Sequence, residues 1–146
     1  MASPQQLETL IDLARRETDD AAKRLGAALK AVADAEEKLN MLVGYRDEYG
    51  KRLDASQQAG ITPMAYRNFQ AFMEKLDDAI RGQQEVLRHS KARGDQEKAR
   101  WQEAERKRMS YSTLRERAAA QALKQEAKRD QKAMDEHASR QAFFKR

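Results

Sequence analysis

Residues 7–49 read LETLIDLARRETDDAAKRLGAALKAVADAEEKLNMLVGYRDEY, and a seven-residue repeat runs through the whole stretch. Positions 11, 18, 25, 32 and 39 hold Ile, Thr, Leu, Val and Leu, while 7, 14, 21, 28, 35, 42 and 49 hold Leu, Ala, Ala, Ala, Ala, Leu and Tyr. Taken as the a and d positions of a heptad, these form a coiled-coil seam of about six heptads. Four successive alanines at d let a partner backbone come close while lowering the burial per residue. That suits tight packing of an antiparallel neighbour.

The flanks of this stretch carry start and stop signals. Ser3-Pro4-Gln5-Gln6 supplies an N-cap hydroxyl, a proline at the first helical position and a glutamine at N3, which is a capping box. A first helix is predicted over about 4–54, followed by a connection over about 55–62, because DASQQAGIT (54–62) is polar, lacks the heptad and contains Gly60. Thr62-Pro63 repeats the cap-plus-proline signature and opens a second helix over about 63–140. Its seam is Phe69, Met73, Leu76, Ile80, Gln83 and Leu87. Beyond Gly94 the apolar pattern weakens and shifts phase through Trp101, Ala104, Tyr111, Ala118 and Ala122, although helix propensity stays high.

A short connection makes the two helices antiparallel neighbours. With the turn centred near residue 59, residue 5 faces about residue 113, so the stretch from about 115 to 146 has no partner within the chain. A lone helix there is marginal in water and either frays or docks on something else. The fold class expected is all-α: one long antiparallel two-helix coiled-coil hairpin over 1–146, with an overhanging C-terminal helix.

Composition agrees. The 146 residues include 53 charged and 58 hydrophobic side chains, but 25 of the hydrophobic ones are alanine, and mean hydropathy is -1.00. Such a chain is thin for a compact globule and matches the profile of long helices. With no cysteine there is no disulfide framework, thiolate metal site or cysteine nucleophile. The N-terminal MASPQQLETL has neither a basic nor an apolar signal region, and no apolar run approaches the roughly 18 residues of a membrane span, so a soluble intracellular protein is expected.

Charge is uneven. Residues 1–60 carry 9 basic and 11 acidic groups, 61–90 carry 4 and 4, and 91–146 carry 16 and 9. The excess positive charge on the distal half of helix 2 is compatible with a solvated face of mixed i,i+4 pairs, with a docking arm for an acidic protein surface, or with a structural or nucleic-acid-associated coiled coil. No nucleic-acid reader motif accompanies it, and no nucleic-acid partner is expected. Self-association through the overhang is a further arrangement, against the expectation of a monomer in isolation.

A second feature is an apolar surplus beside the seam near the turn. Tyr45, Phe72 and Ala79 occupy g positions, and antiparallel pairing places Tyr45 beside Phe72, joined by Leu42, Tyr49 and Leu76 at the seam's edge. These side chains either widen the core where the coil meets its turn or form an exposed aromatic patch for a protein partner.

Catalytic constellations are poor. His89 and His137 are the only histidines, and Asp19-Asp20 and Asp77-Asp78 are carboxylate pairs with no pocket to desolvate them. No phosphate-binding loop, zinc-protease or nucleophile-elbow motif occurs, so no enzyme activity, metal or cofactor is expected. The terminal Phe143-Phe144-Lys145-Arg146 reads either as a tail or as a weak membrane-surface anchor.

Three stretches, LETLIDLARRETDDAAKRLG (7–26), EEKLNMLVGYRDEY (36–49) and RDQKAMDE (129–136), resemble the FliJ family of the bacterial flagellar type III export apparatus, and the likeness covers nearly the full length. The resemblance implies a non-catalytic coiled coil like the stalk of a rotary ATPase. It implies that the open end, formed by both termini, enters the hexameric export ATPase FliI and promotes ring assembly, with Leu7, Leu10, Asp130, Gln131, Lys132, Met134, Asp135 and Glu136 as contact residues. It further implies that Leu42, Tyr45, Tyr49, Phe72, Leu76 and Ala79 contact the export gate FlhA, and that flagellar export chaperones are escorted. Lys38 and Gln83 depart from the family's commoner types beside that surface. The implied location is cytoplasmic, peripheral to the inner membrane at the flagellar base.

Overall fold

In the computed structural model, which describes residues 3–144, two helices account for nearly all of the chain: α1 (Pro4–Ala59) and α2 (Pro63–Phe144). Lys145 and Arg146 of the terminal run lie outside the described residues. The start of α1 is the capping box anticipated above. The Ser3 N–H donates to Oε1 of Gln6 at 2.9 Å, and the Gln6 N–H donates to Oγ of Ser3 at 3.2 Å.

The first helix runs on to Ala59 instead of stopping near 54. The stretch Asp54–Ala59 is polar, yet it contains no proline or glycine and two alanines, so nothing in it opposes helix once the preceding turns are formed. What ends α1 is Gly60, whose φ of 90° lies in the left-handed region, and whose N–H donates to the Gln57 carbonyl at 3.3 Å. The connection therefore shrinks to Gly60, Ile61 and Thr62. Thr62 caps α2 by accepting the Ala65 N–H on Oγ1 at 3.1 Å, and Pro63 takes the first helical position. The far end of α2 also extends past the expected 140, to Phe144.

Two compact units form: Asp20–Trp101, and the residues up to Asp19 together with those from Gln102 onward. In the first, pairs cross between helices at Arg46 and Asp77, Tyr49 and Phe69, Glu36 and Lys91, and Arg24 and Glu97, so one chain number falls as the other rises. In the second, Glu17 meets Lys107 at 3.6 Å and Glu8 meets Arg115 at 3.2 Å. Both units are antiparallel two-helix coils, as expected. Because the turn centres on Ile61, each residue of α1 faces a point a few residues further along α2 than a turn at 59 would give.

Burial follows the heptad. Ile11 is 1% exposed, and Ala14, Ala21, Ala28 and Ala35 lie between 2% and 6%, so the d alanines form the floor of the seam. On α2 a run of buried and half-buried residues, Phe69, Met73, Leu76, Ile80, Gln83, Leu87, Ser90, Gly94, Glu97, Trp101, Ala104, Arg108 and Tyr111, follows an alternation of four- and three-residue steps, with Ala65, Tyr66, Asp77, Glu105 and Ser112 half-buried beside it. The expected change of phase after Gly94 does not occur. The pattern looked broken in sequence because Ser90, Gly94, Glu97 and Arg108 occupy seam positions where apolar residues are the norm. From Thr113 to Phe144 every residue is exposed, and the seam stops.

Polar seam residues are accommodated in different ways. The buried Thr18 hydroxyl donates to the Ala14 carbonyl one turn back at 2.9 Å. Gln83 reaches across the seam and donates from Nε2 to the Ala35 carbonyl at 3.1 Å, using the oxygen's second lone pair above a side chain too small to obstruct it. Glu97 is only 5% exposed and is less well served. Its Oε1 accepts from Arg100 at 3.2 Å, but its Oε2 has no hydrogen-bond donor, and Arg24 Nε stands 3.9 Å from it. Leaving a buried acceptor unsatisfied costs about 1–3 kcal/mol.

Three substitutions test this account, read by urea unfolding followed by helical circular dichroism. A Cβ on Gly94 would meet Val32 at 3.9 Å and Leu29 at 4.0 Å, both ordinary contacts. Gly94→Ala is expected to stabilise by about 0.5–1 kcal/mol through lower chain entropy in the unfolded state. Gly60→Ala, forced to keep a positive φ, is expected to destabilise by about 1 kcal/mol. Glu97→Met is expected to stabilise by roughly 1–2 kcal/mol, because an apolar side chain of similar length removes the unpaired carboxylate oxygen from the seam.

Candidate functional site

In the unit Asp20–Trp101 the aromatic cluster near the turn is built by the heptad itself. Tyr49 at d faces the partner helix, where Phe69 meets it edge-on with ring centroids 5.8 Å apart and Phe72 stacks on it at 4.3 Å with planes inclined by 29°. Offset stacking of this kind adds to simple burial. The guanidinium of Arg52 lies 5.9 Å from the Tyr49 ring centroid, closing the cluster on the α1 side.

The expected neighbour of Phe72 was Tyr45. Phe72 stacks instead on Tyr49, one turn nearer the loop, because the turn sits at Ile61 and slides the pairing along. Tyr45 is left half exposed, and Phe72 keeps 40% of its surface in solvent. A shallow groove lined by Tyr49, Ala65, Asn68, Phe69 and Phe72 opens beside the stack. Of the other residues singled out from sequence, Leu42 is half-buried, Ala79 is exposed and Leu76 is 8% exposed. Leu76 thus supports this surface from beneath, and Tyr45, Phe72 and Ala79 are its accessible part. Met64, 73% exposed in the first turn of α2, is a nearby apolar side chain that the sequence reading missed, since it belongs to no heptad position of the seam.

Ionic contacts border the cluster. Arg46 occupies an a position yet turns outward to Asp77, and its guanidinium pKa is raised by that hydrogen bond and charge. Further along α2, Arg88 holds the Glu85 carboxyl below the ordinary carboxylate range through a hydrogen bond. His89, 3.8 Å from Glu85, is largely exposed. These are solvated pairs whose individual contribution to stability is small.

The other unit holds the second set of residues expected at a partner. Leu7 is 8% exposed and part of the seam, and Leu10 is half-buried beside it. Asp130, Gln131, Lys132, Met134, Asp135 and Glu136 are all exposed on the stretch of α2 that has no partner helix. Gln131 donates to Oδ1 of Asp135 at 3.1 Å along the helix, and Met134 is 67% exposed. The two groups are not brought together. The start of α1 is level with Arg115 through Glu8, and Asp130 lies some fifteen residues, roughly 22 Å of helix, further on. Between Thr113 and Phe144 Leu114, Leu123, Met134, Phe143 and Phe144 are exposed apolar side chains, scattered among charged groups.

Among the described residues there is no group of three or more His, Cys, Asp or Glu side chains placed to hold a metal ion, and no helix is long and apolar enough to cross a membrane. What the geometry offers is surface: an aromatic edge beside a turn, and, among the described residues, an unpartnered helix of mixed charge with seven basic and five acidic groups.

Comparison with known proteins agrees with the family suggested by the sequence. Flagellar FliJ proteins of Escherichia coli K12 and of Salmonella typhi are each 38% identical to this chain over 145 residues, covering 99% of both partners in each comparison. A solved structure of a YscO homolog from Chlamydia trachomatis aligns with 93% of this chain and 88% of its own at a TM-score of 0.48 and 14% identity. The family model described as flagellar FliJ protein matches residues 3–146, and the chain belongs to that family.

Proposed function

We propose that this protein is a non-catalytic component of the flagellar type III export apparatus, acting as a stalk-like factor for the export ATPase FliI and as a contact for the export gate FlhA. The observation that carries the proposal is the stretch 113–144, a helix exposed on every side that bears seven basic and five acidic groups, in a chain whose other helical turns share a two-helix seam. An isolated helix of this composition gains little from its own side chains and is completed by a partner. Positive charge suits an acidic ring lumen. In this role ATP is hydrolysed by the ring, and the chain supplies recruitment and mechanical coupling. Leu7, Leu10, Asp130, Gln131, Lys132, Met134, Asp135 and Glu136 are the proposed contact residues, Leu7 by holding the start of α1 in place.

The exposed edge formed by Tyr45, Phe72 and Ala79 is the surface proposed for the gate, and the escort of export chaperones is part of the same reading. Aromatic side chains that keep much of their area in solvent beside a rigid stack are suited to anchor a partner, since little rotamer freedom remains to be lost on binding.

Two measurements test these roles. Added to the cognate ATPase, the full chain is expected to raise both hydrolysis rate and hexamer fraction, while a chain ending at residue 112 does neither; equal behaviour of the two removes the arm from the mechanism. Tyr45→Ala with Phe72→Ala is expected to weaken binding to the gate's cytoplasmic domain at least about tenfold with helicity retained, as for loss of hot-spot aromatics. Tyr45→Ala alone is the cleaner variant: Tyr49→Ala, like Phe72→Ala, removes the stack and lowers stability, whereas Tyr45→Ala leaves the unfolding midpoint close to that of the parent.

A further inference from the structure

Toward the end of the unit Asp20–Trp101 that lies away from the turn, on the flank of the seam whose g positions include Phe72 and Ala79, the two helices leave a groove. It is lined by Ala27, Ala28 and Ala31 of α1 and Ser90 of α2, together with Arg24, Arg93 and Glu97. Small side chains let a third backbone approach closely, but a stripe of them has no ligand by itself. Here a second observation points to one. The Glu97 side chain is 6% exposed and lines this groove, and its Oε2 has no donor. Arg24, whose side chain is 59% exposed, comes only to 3.9 Å of that oxygen, too far for a hydrogen bond.

Charge narrows the occupant. Two guanidinium groups, on Arg24 and Arg93, line the groove with the Glu97 carboxylate, and a third, on Arg100, is already committed to Oε1 of Glu97. The two cations lining the groove therefore call for acidic side chains, while Oε2 of Glu97 calls for a hydrogen-bond donor. A continuous polyanion such as RNA would set phosphates against the Glu97 carboxylate, whereas a helix meets both demands by alternating residue types along one face. We infer that this groove is a docking site for an acidic helix of a partner protein, which presents carboxylates to Arg24 and Arg93 and a hydroxyl or carboxamide donor to Oε2 of Glu97. Arg24, drawn outward to the partner's carboxylate, uncovers the oxygen that the incoming donor then satisfies. The site is separate from the aromatic edge and from the unpartnered arm, and does not depend on the roles proposed for either.

The test places a photo-crosslinking p-benzoylphenylalanine at Ala31 of the full-length chain in its own cells, with a second probe at Lys98 as control, and sequences the adducts. The expected result is one partner segment of net negative charge and helical character, captured from position 31 and not from 98, with at least a tenfold loss of yield in Arg93→Glu. That segment, made as a peptide, is expected to bind the purified chain, with at least tenfold weaker affinity for Arg24→Glu combined with Arg93→Glu. Glu97→Met is expected to weaken it at least threefold even though the variant is the more stable hairpin, an outcome that a purely structural Glu97 would not produce. Adducts with nucleic acid, with a second copy of this chain, with a neutral or basic segment, or with yields indifferent to Arg93 would each overturn the proposal. So would unchanged affinity in Glu97→Met.

Discussion

The close approach of two helix backbones over a floor of alanine is the constraint on which the other features of this protein depend. A buried methylene contributes about 0.8 kcal/mol, and an alanine side chain offers only one carbon. A seam that places Ala14, Ala21, Ala28 and Ala35 at successive d positions gains much of its cohesion from tight packing and from a few larger residues, Ile11, Leu7 and Leu76 foremost. Close backbones also explain why a glutamine can reach a carbonyl across the interface, as Gln83 does at Ala35. With larger side chains at d, that oxygen would be out of reach.

A thin seam leaves apolar and charged groups available for other purposes. Tyr45, Phe72, Met64 and, within 113–144, Leu114, Leu123 and Met134 are not needed to fill a core, and among the described residues no third layer covers them. In a family of export components this is a coherent design: recognition residues sit on rigid helices, where packing holds them in place without enclosing them. The stacked Tyr49 and Phe72 illustrate the division of labour. One ring is fixed in the seam, and it holds the other at the surface.

Polar residues within the seam divide along similar lines. Thr18 and Gln83 each donate to a backbone carbonyl of the chain itself, so they specify local geometry at little cost. Glu97 is less well served. A buried carboxylate with one oxygen unserved works against stability, and the small residues around it, with Gly94 one turn away, open space where a tighter seam would have closed it.

The sequence by itself determined the helical class, the two capped helix starts, the antiparallel pairing and the residues of the seam as far as Leu87, because each rests on local chemistry: period, capping side chains and a glycine at the break. The aromatic character of the turn region and the unpartnered arm were legible for the same reason. Only the tertiary structure decided the register. The end of α1 at Ala59 depends on the polar stretch 54–59 staying helical up to Gly60, and a displacement of a few residues there exchanged Tyr45 for Tyr49 as the partner of Phe72. It also decided that Ser90, Gly94, Glu97 and Arg108 lie in the seam, since their types argue against burial and only the facing helix, continuing in phase, imposes it.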